Sequence, residues 1–262
     1  MLPSAARARH HRHMFGWLQR LGSAPPEVRD DLWAIARQRV RLLDGLDDPA
    51  RQRLRARTAR FLATRNLVGA QGLELDDTQR VIIAAQAALP LLNLPFEWLG
   101  HWHDVVVYPG EFRVRRTHHD SDTDVVTEWD DELAGEAWES GPIILSWADI
   151  ERDLAEPFAG FNVVIHEIAH KIDMASGASD GMPPLRDREA RRRWREVMQE
   201  AFDRLNRMLD EGFETPIDPY AAEAPDEFFA TVSEYWFSAP DLLEAALPQV
   251  HVEFSRFYRG EA

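Results

Sequence analysis

The sequence predicts an α+β fold, mostly helical, with a small mixed β-sheet. Two observations carry this expectation. Apolar residues recur at three- and four-residue spacing over residues 25–99 and again from Asp149 onward. Between these stretches the texture changes to short β-branched runs bounded by Gly and Pro, "HDVVVYPG" and "GPIILSW". No internal repeat or linker interrupts the order helices, sheet, helices, so residues 25–262 read as one domain.

Each element has its own signal. Residues 1–24 are basic, and the chain has no acid before Glu27. Phe15, Trp17 and Leu18 are too few for a signal peptide, so a disordered tail is expected, with His10, His11 and His13 binding metal only adventitiously. Pro25 and Pro26 precede a helix near Glu27–Leu43, with Leu32, Ile35, Ala36 and Val40 facing inward. Asp48-Pro49 opens a second helix, with Leu54, Phe61 and Leu62 inward. Asp77-Thr78 caps a third, running through Val81, Ile82, Ala85 and Ala88 to a break at Leu89-Pro90. Gln86, Pro90, Asn93 and Pro95 interrupt this most apolar region, which therefore reads as a buried helix and not a membrane span. Three strands follow: "HDVVVYPG", a weaker "DTDVVTEW", and "GPIILSW". The charged residues between Glu111 and Glu139 read as loops and edge structure. Pro183-Pro184 and "FETPIDPYAAEAP" divide the C-terminal helical region.

Composition narrows the function. The chain has 262 residues, 45% apolar and 10% aromatic, which suffices for a globular core. A formal net charge of −15 repels nucleic acid and anionic lipid, so neither is expected as a partner. With no cysteine there is no disulfide and no thiolate ligand, which suits the cytoplasm. Any metal must be held by His, Asp or Glu.

The chemistry lies in "FNVVIHEIAHKIDMASG". Residues four apart share a helix face, so His166 and His170 can present imidazole nitrogens to one ion at ~2.0–2.1 Å. Glu167, one step around the helix, stands beside that ion and can take a proton from a metal-activated water. Phe161, Val163, Val164, Ile165, Ile168, Ala169 and Ile172 make the helix largely buried, and buried imidazoles need partners. A third histidine six residues on would mark one protease class, but residue 176 is Ser176. A glutamate on a later helix is the alternative. In "DPYAAEAPDEFFATVSEYWFSAP", Glu227 and Glu234 lie seven apart on one face, and Glu223 precedes the helix. Spacing leaves open which of the two binds metal and which supports a ligand histidine.

At these residues the chain resembles the Mlc titration factor A family of zinc peptidases. "VVVYPG", "GPIILSW", "NVVIHEIAHKIDM" and "EFFATVSEYWFSAP" carry the resemblance, in the family's order, over roughly Val81 to Leu243. The same core is similar to the catalytic domain of anthrax lethal factor, which has a tyrosine seven residues before its ligand glutamate. The resemblance implies a zincin-like metallopeptidase domain holding one Zn2+ through His166, His170 and Glu227. It implies Glu167 as general base and Tyr220, seven before Glu227, as a catalytic residue stabilising the oxyanion. With Glu227 as ligand, Glu234 becomes a candidate support for a ligand histidine; Thr231 stands where lethal factor has an acid, so the support of the ligands is expected to differ. Asn162 and Asp173 flank the motif and are candidates to orient the histidines. The resemblance also implies peptidase activity, notably of aminopeptidase type, and an alternative role in binding a transcriptional repressor, for which no contact residue is identifiable.

Ile144, Leu145, Ser146 and Trp147 form either an edge strand along which a peptide substrate lies extended or a plain core strand. Arg191, Arg192, Arg193 and Arg195 read as a solvated helix face and not a nucleic-acid patch, because acids surround them. Alternation around Trp102 puts His101 and His103 on one strand face if the strand begins there, but they lack a third ligand, and His118-His119-Asp120 reads as a loop.

Overall fold

The computed structural model describes residues 27–110 and 141–262. The basic tail, the "DTDVVTEW" strand and His118-His119-Asp120 lie outside these residues. Helices dominate, and a three-stranded sheet sits among them. The strands are β1 (Asn66–Gly69), β2 (Asp104–Tyr108) and β3 (Ile143–Ser146), in that spatial order. All three described strands run parallel, with Leu67 beside Val105 and Val105 beside Ile143. β1 escapes the sequence reading, which continues the helical pattern through it. It has four residues and only Leu67 is buried, too short for an alternation to register.

The N-terminal helices are α1 (Asp30–Arg39), α2 (Asp48–Thr64) and α3 (Asp77–Ala88). Ile35, expected inside, is 39% exposed, and Trp33 takes the inward place beside Ala36 and Val40. Asp47 caps α2, and Asp76 caps α3 in a reciprocal capping box with Gln79. Every residue of α3 from Val81 to Ala88 is buried, so this helix is enclosed on all sides. Gln86 is the one polar side chain in that run.

The C-terminal helices are α4 (Trp147–Ala155), α5 (Val163–Asp173), α6 (Arg188–Asp210), α7 (Pro225–Ser238), α8 (Pro240–Ala246) and α9 (Pro248–Tyr258). α5 buries Val164, Ile165, Ile168, Ala169 and Ile172, and packs most extensively against α7. Each such aliphatic side chain contributes about 1.5–3 kcal/mol. Lys171 is buried as well, its Nζ donating to the Gly141 carbonyl at 3.0 Å over the Trp102 ring, which ties α5 to the start of β3. Two corrections concern single elements. Trp147 begins α4 and is no strand residue, because the Ser146 hydroxyl accepts from the Asp149 N–H and turns the chain into a helix. His101 and His103 precede β2, which begins at Asp104, so they do not share a strand face.

The loop from α5 to α6 closes on Gly181. Its N–H donates to Asp173 Oδ2 at 2.8 Å, its carbonyl accepts from Trp194 Nε1 at 2.8 Å, and a Cβ there would meet the Pro225 carbonyl oxygen at 2.3 Å. With φ of +75°, only glycine fits without strain. Trp194 is buried inside α6 and stacks on Phe254, while Arg192 and Arg193 pair with Glu196 and Glu189 on the same helix. The arginine run is therefore a solvated face built around a core tryptophan.

Candidate metal centre

Two helices build the centre. α5 begins where Asn162, in extended conformation, accepts the Ile165 N–H on its Oδ1. One helical turn separates His166 from His170, and their Nε2 atoms come within 3.1 Å. α7 begins at Pro225, well suited to a first turn, and places Glu227 across from them. Its Oε2 lies 3.2 Å from His166 Nε2 and 3.3 Å from His170 Nε2. His170 and Glu227 are buried and His166 nearly so.

This triangle fits a metal ion. Ligands ~2.0–2.1 Å from one tetrahedral ion stand ~3.3 Å apart. The three donor atoms have that spacing, and two imidazoles with one carboxylate leave a fourth position open. Among the described residues it is the one His/Cys/Asp/Glu group close enough to hold an ion. Spacing along the sequence could not choose between the two glutamates of α7. In three dimensions Glu227 joins the triangle, whereas Glu234, two turns on, reaches the far side of His166. Its Oε1 accepts from His166 Nδ1 at 2.8 Å. A carboxylate there requires the proton on Nδ1 and leaves the Nε2 lone pair toward the ion. Thr231, between the glutamates, is buried with an Oγ1 that finds no partner among the described residues.

Glu234 has a second duty. Its Oε2 accepts the Asn162 backbone N–H, so one carboxylate joins the start of α5 to a histidine on it. Asp153 of α4 accepts the next N–H, that of Val163, at 2.8 Å. Burial, reinforced by the nearby Glu234 charge, pushes the Asp153 carboxyl up to about 6. Asn162 Nδ2 donates to Gln86 Oε1 at 2.7 Å, anchoring the same corner to the enclosed helix α3. Asn162 and Asp173, the flanking candidates to orient the histidines, hold the two ends of α5. Asp173 is fully buried, accepts the Gly181 N–H and leaves Oδ1 without a partner among the described residues. Burial, with the Asp180 and Asp226 charges adding to it, pushes its carboxyl up to about 7. The sequence reading passes over Asp153 and meets Gln86 only as a break in an apolar run. Their signal, lone polar residues on otherwise buried helical faces, is visible only in hindsight.

Glu167 is half-buried, one step around α5 from His166. Tyr220 lies on the 3-10 turn Pro219–Ala222, 37% exposed, its ring centroid 6.0 Å from that of His166. Glu223 ends that turn and belongs to no metal group. β3 packs against α5 and is the last strand of the sheet, with no further strand beside it among the described residues. Ile143 and Leu145 point into the core and Ile144 is half-buried.

Known proteins are similar to this chain in sequence. A family model described as glucose-regulated metallo-peptidase M90 matches residues 15–259. The match reaches well beyond the span of the motifs and into the basic N-terminal segment, which the motifs alone left outside. Proteins called Mlc titration factor A from Yersinia pestis (strain Pestoides F) and Yersinia pseudotuberculosis serotype O:3 (strain YPIII) are each 39% identical over 227 residues, 85% of this chain and 82% of theirs.

Proposed function

The chain belongs to the glucose-regulated metallopeptidase family M90, and on that premise we propose that it is a zinc-dependent peptidase, of aminopeptidase type. The observation that carries the reading is the buried donor triangle of His166, His170 and Glu227, with edges of 3.1, 3.2 and 3.3 Å. When bound, zinc supplies Lewis acidity that polarises the scissile carbonyl and brings the pKa of water near neutral. Glu167 accepts the proton of the attacking water and returns it to the departing amine. The Tyr220 hydroxyl donates to the oxyanion that develops on the substrate carbonyl. Glu234 keeps His166 in the tautomer that binds metal. The backbone of Ile144, Leu145 and Ser146 at the sheet edge suits an extended peptide, which would add as a further strand.

Glu167→Gln tests this directly. Metal content measured by atomic absorption should stay at one zinc per chain while peptide hydrolysis falls about 10²–10⁴-fold. Wild-type turnover by this variant would overturn the mechanism. Peptides with free and with blocked N-termini separate aminopeptidase from endopeptidase action, since an aminopeptidase spares the blocked set.

A second reading has its own support. The relatives' name, Mlc titration factor A, speaks of a titrated partner, and a net charge of −15 suits contact with a basic DNA-binding repressor. On this reading the protein sequesters a transcriptional repressor and its metal is structural. A pull-down of repressor with the His166→Ala/His170→Ala double variant discriminates: retained capture with lost hydrolysis separates the two functions.

A further inference from the structure

A further residue of α7 reaches the turn that bears Tyr220. Tyr235 follows Glu234, and its ring is buried. Its Oη accepts the backbone N–H of Asp218 at 3.1 Å. Asp218 is the N-cap of the turn that bears Tyr220, and its Oδ1 accepts the N–H of Tyr220 itself at 2.8 Å. A two-bond chain therefore runs from α7 to the backbone of Tyr220, whose ring faces His166. The other side of the Tyr235 ring is closed by the loop that leads into α5. Gly160 sits against it with φ of +93°, and a Cβ there would come within 2.7 Å of the ring. Phe161, next in the chain, meets the ring edge-on at 6.4 Å, and Asn162 then caps the histidine helix.

We infer that Tyr235 is the positioning residue of Tyr220, fixing the turn Pro219–Ala222 relative to the histidine helix. The inference rests on the reading of Tyr220 as oxyanion donor. Packing also holds this turn: Ala221 and the preceding Ile217 are buried, and the turn lies against α6 and α7. Apolar packing is non-directional and leaves the turn free to pivot, whereas a hydrogen bond to its first N–H sets the orientation. Bonds within the turn, such as that from the Ala221 N–H to the Asp218 carbonyl, move with it and fix nothing outside it. A 1 Å displacement of an oxyanion donor is enough to cost rate. Burial also holds the Tyr235 phenol in its protonated form, raising its pKa, so the oxygen stays a neutral acceptor. A plain core aromatic in this place would need its ring and not its oxygen.

The test is Tyr235→Phe, which removes that oxygen alone, in wild-type and Tyr220→Phe backgrounds. Leucine 4-nitroanilide and casein-derived peptides are the probes, with zinc content and hydrogen–deuterium exchange of residues 216–222 measured in parallel. In metal-free and in zinc-loaded protein the Asp218 and Tyr220 amides should exchange faster in the variant. The variant should keep one zinc and its KM, while kcat falls about 3- to 10-fold, as befits one lost hydrogen bond. In the Tyr220→Phe background the same change should cost nothing further. Unchanged exchange in Tyr235→Phe, or an equal loss of kcat in both backgrounds, would overturn the inference. Full activity of Tyr220→Phe would instead overturn the role of Tyr220, while the exchange result would still decide whether Tyr235 fixes the turn.

Discussion

At the scale of single residues, the centre shows acids put to three different uses by their surroundings. Glu227 faces two imidazole nitrogens, Glu234 an imidazole N–H and a backbone N–H, and Asp173 the Gly181 N–H in a fully buried corner. The last arrangement has a price in stability. A carboxyl whose pKa is raised from 3.8 to about 7 on folding holds a proton in the native state that the unfolded chain has released. Between those values the folded state binds more protons, so stability falls as pH rises, by about 1.4 kcal/mol per pH unit for this one group, and levels off above about 7. Asp173→Asn keeps an acceptor for the Gly181 N–H and removes the titration. Urea midpoints taken from pH 4 to pH 8 should decline less steeply in the variant, with the two proteins converging at the acid end. Equal slopes would show that Asp173 titrates normally. The sequence made the histidine pair legible because i, i+4 spacing is local geometry. It could not rank Glu227 above Glu234, because both lie on one face and the choice depends on how far along α5 the helix α7 is docked. Tyr235 was hidden for a similar reason: inside "EYWF" it reads as core packing, and only its oxygen, reaching seventeen residues back, says otherwise.

At the scale of elements, α7 does most of the assembly, and α6 holds α7 in place. Trp194 contacts Phe229 of α7 and Phe254 and Phe257 of α9, and its Nε1 closes the Gly181 loop. Trp194→Ala removes the stack and leaves the Gly181 carbonyl without its donor. It should cost about 3–5 kcal/mol, read as a lowered urea midpoint at an unchanged m-value. A loss under 1 kcal/mol would mean that the cluster refills the space. The sequence announced these helices well because caps and prolines mark their ends. α2, α3 and α7 begin within a residue of the expected signals. It failed at β1 and at the end of β3, where the strand is as short as a turn and pairing across the sheet decides the conformation.

At the scale of the whole molecule, the two halves of the centre come from helices far apart in sequence, so metal binding and folding are linked. An ion that binds only the folded chain stabilises it by about 4 kcal/mol at a thousand times its dissociation constant. Chelation by EDTA should lower the melting temperature of the wild-type protein and leave that of His166→Ala/His170→Ala unchanged. An equal effect on both would place the bound metal elsewhere. Among the described residues no helix is long and apolar enough to cross a membrane.

The division of the donor set between α5 and α7 also bears on biosynthesis. A ribosome delivers the histidine pair early, and at ~5–20 residues per second the glutamate emerges seconds later. A chain stalled before Pro225 holds two imidazoles and Glu167 but no Glu227, no Glu234 against His166 and no Tyr235 behind Asp218. On the proposed mechanism, hydrolysis therefore waits for α7, the same helix against which α5 finds most of its packing.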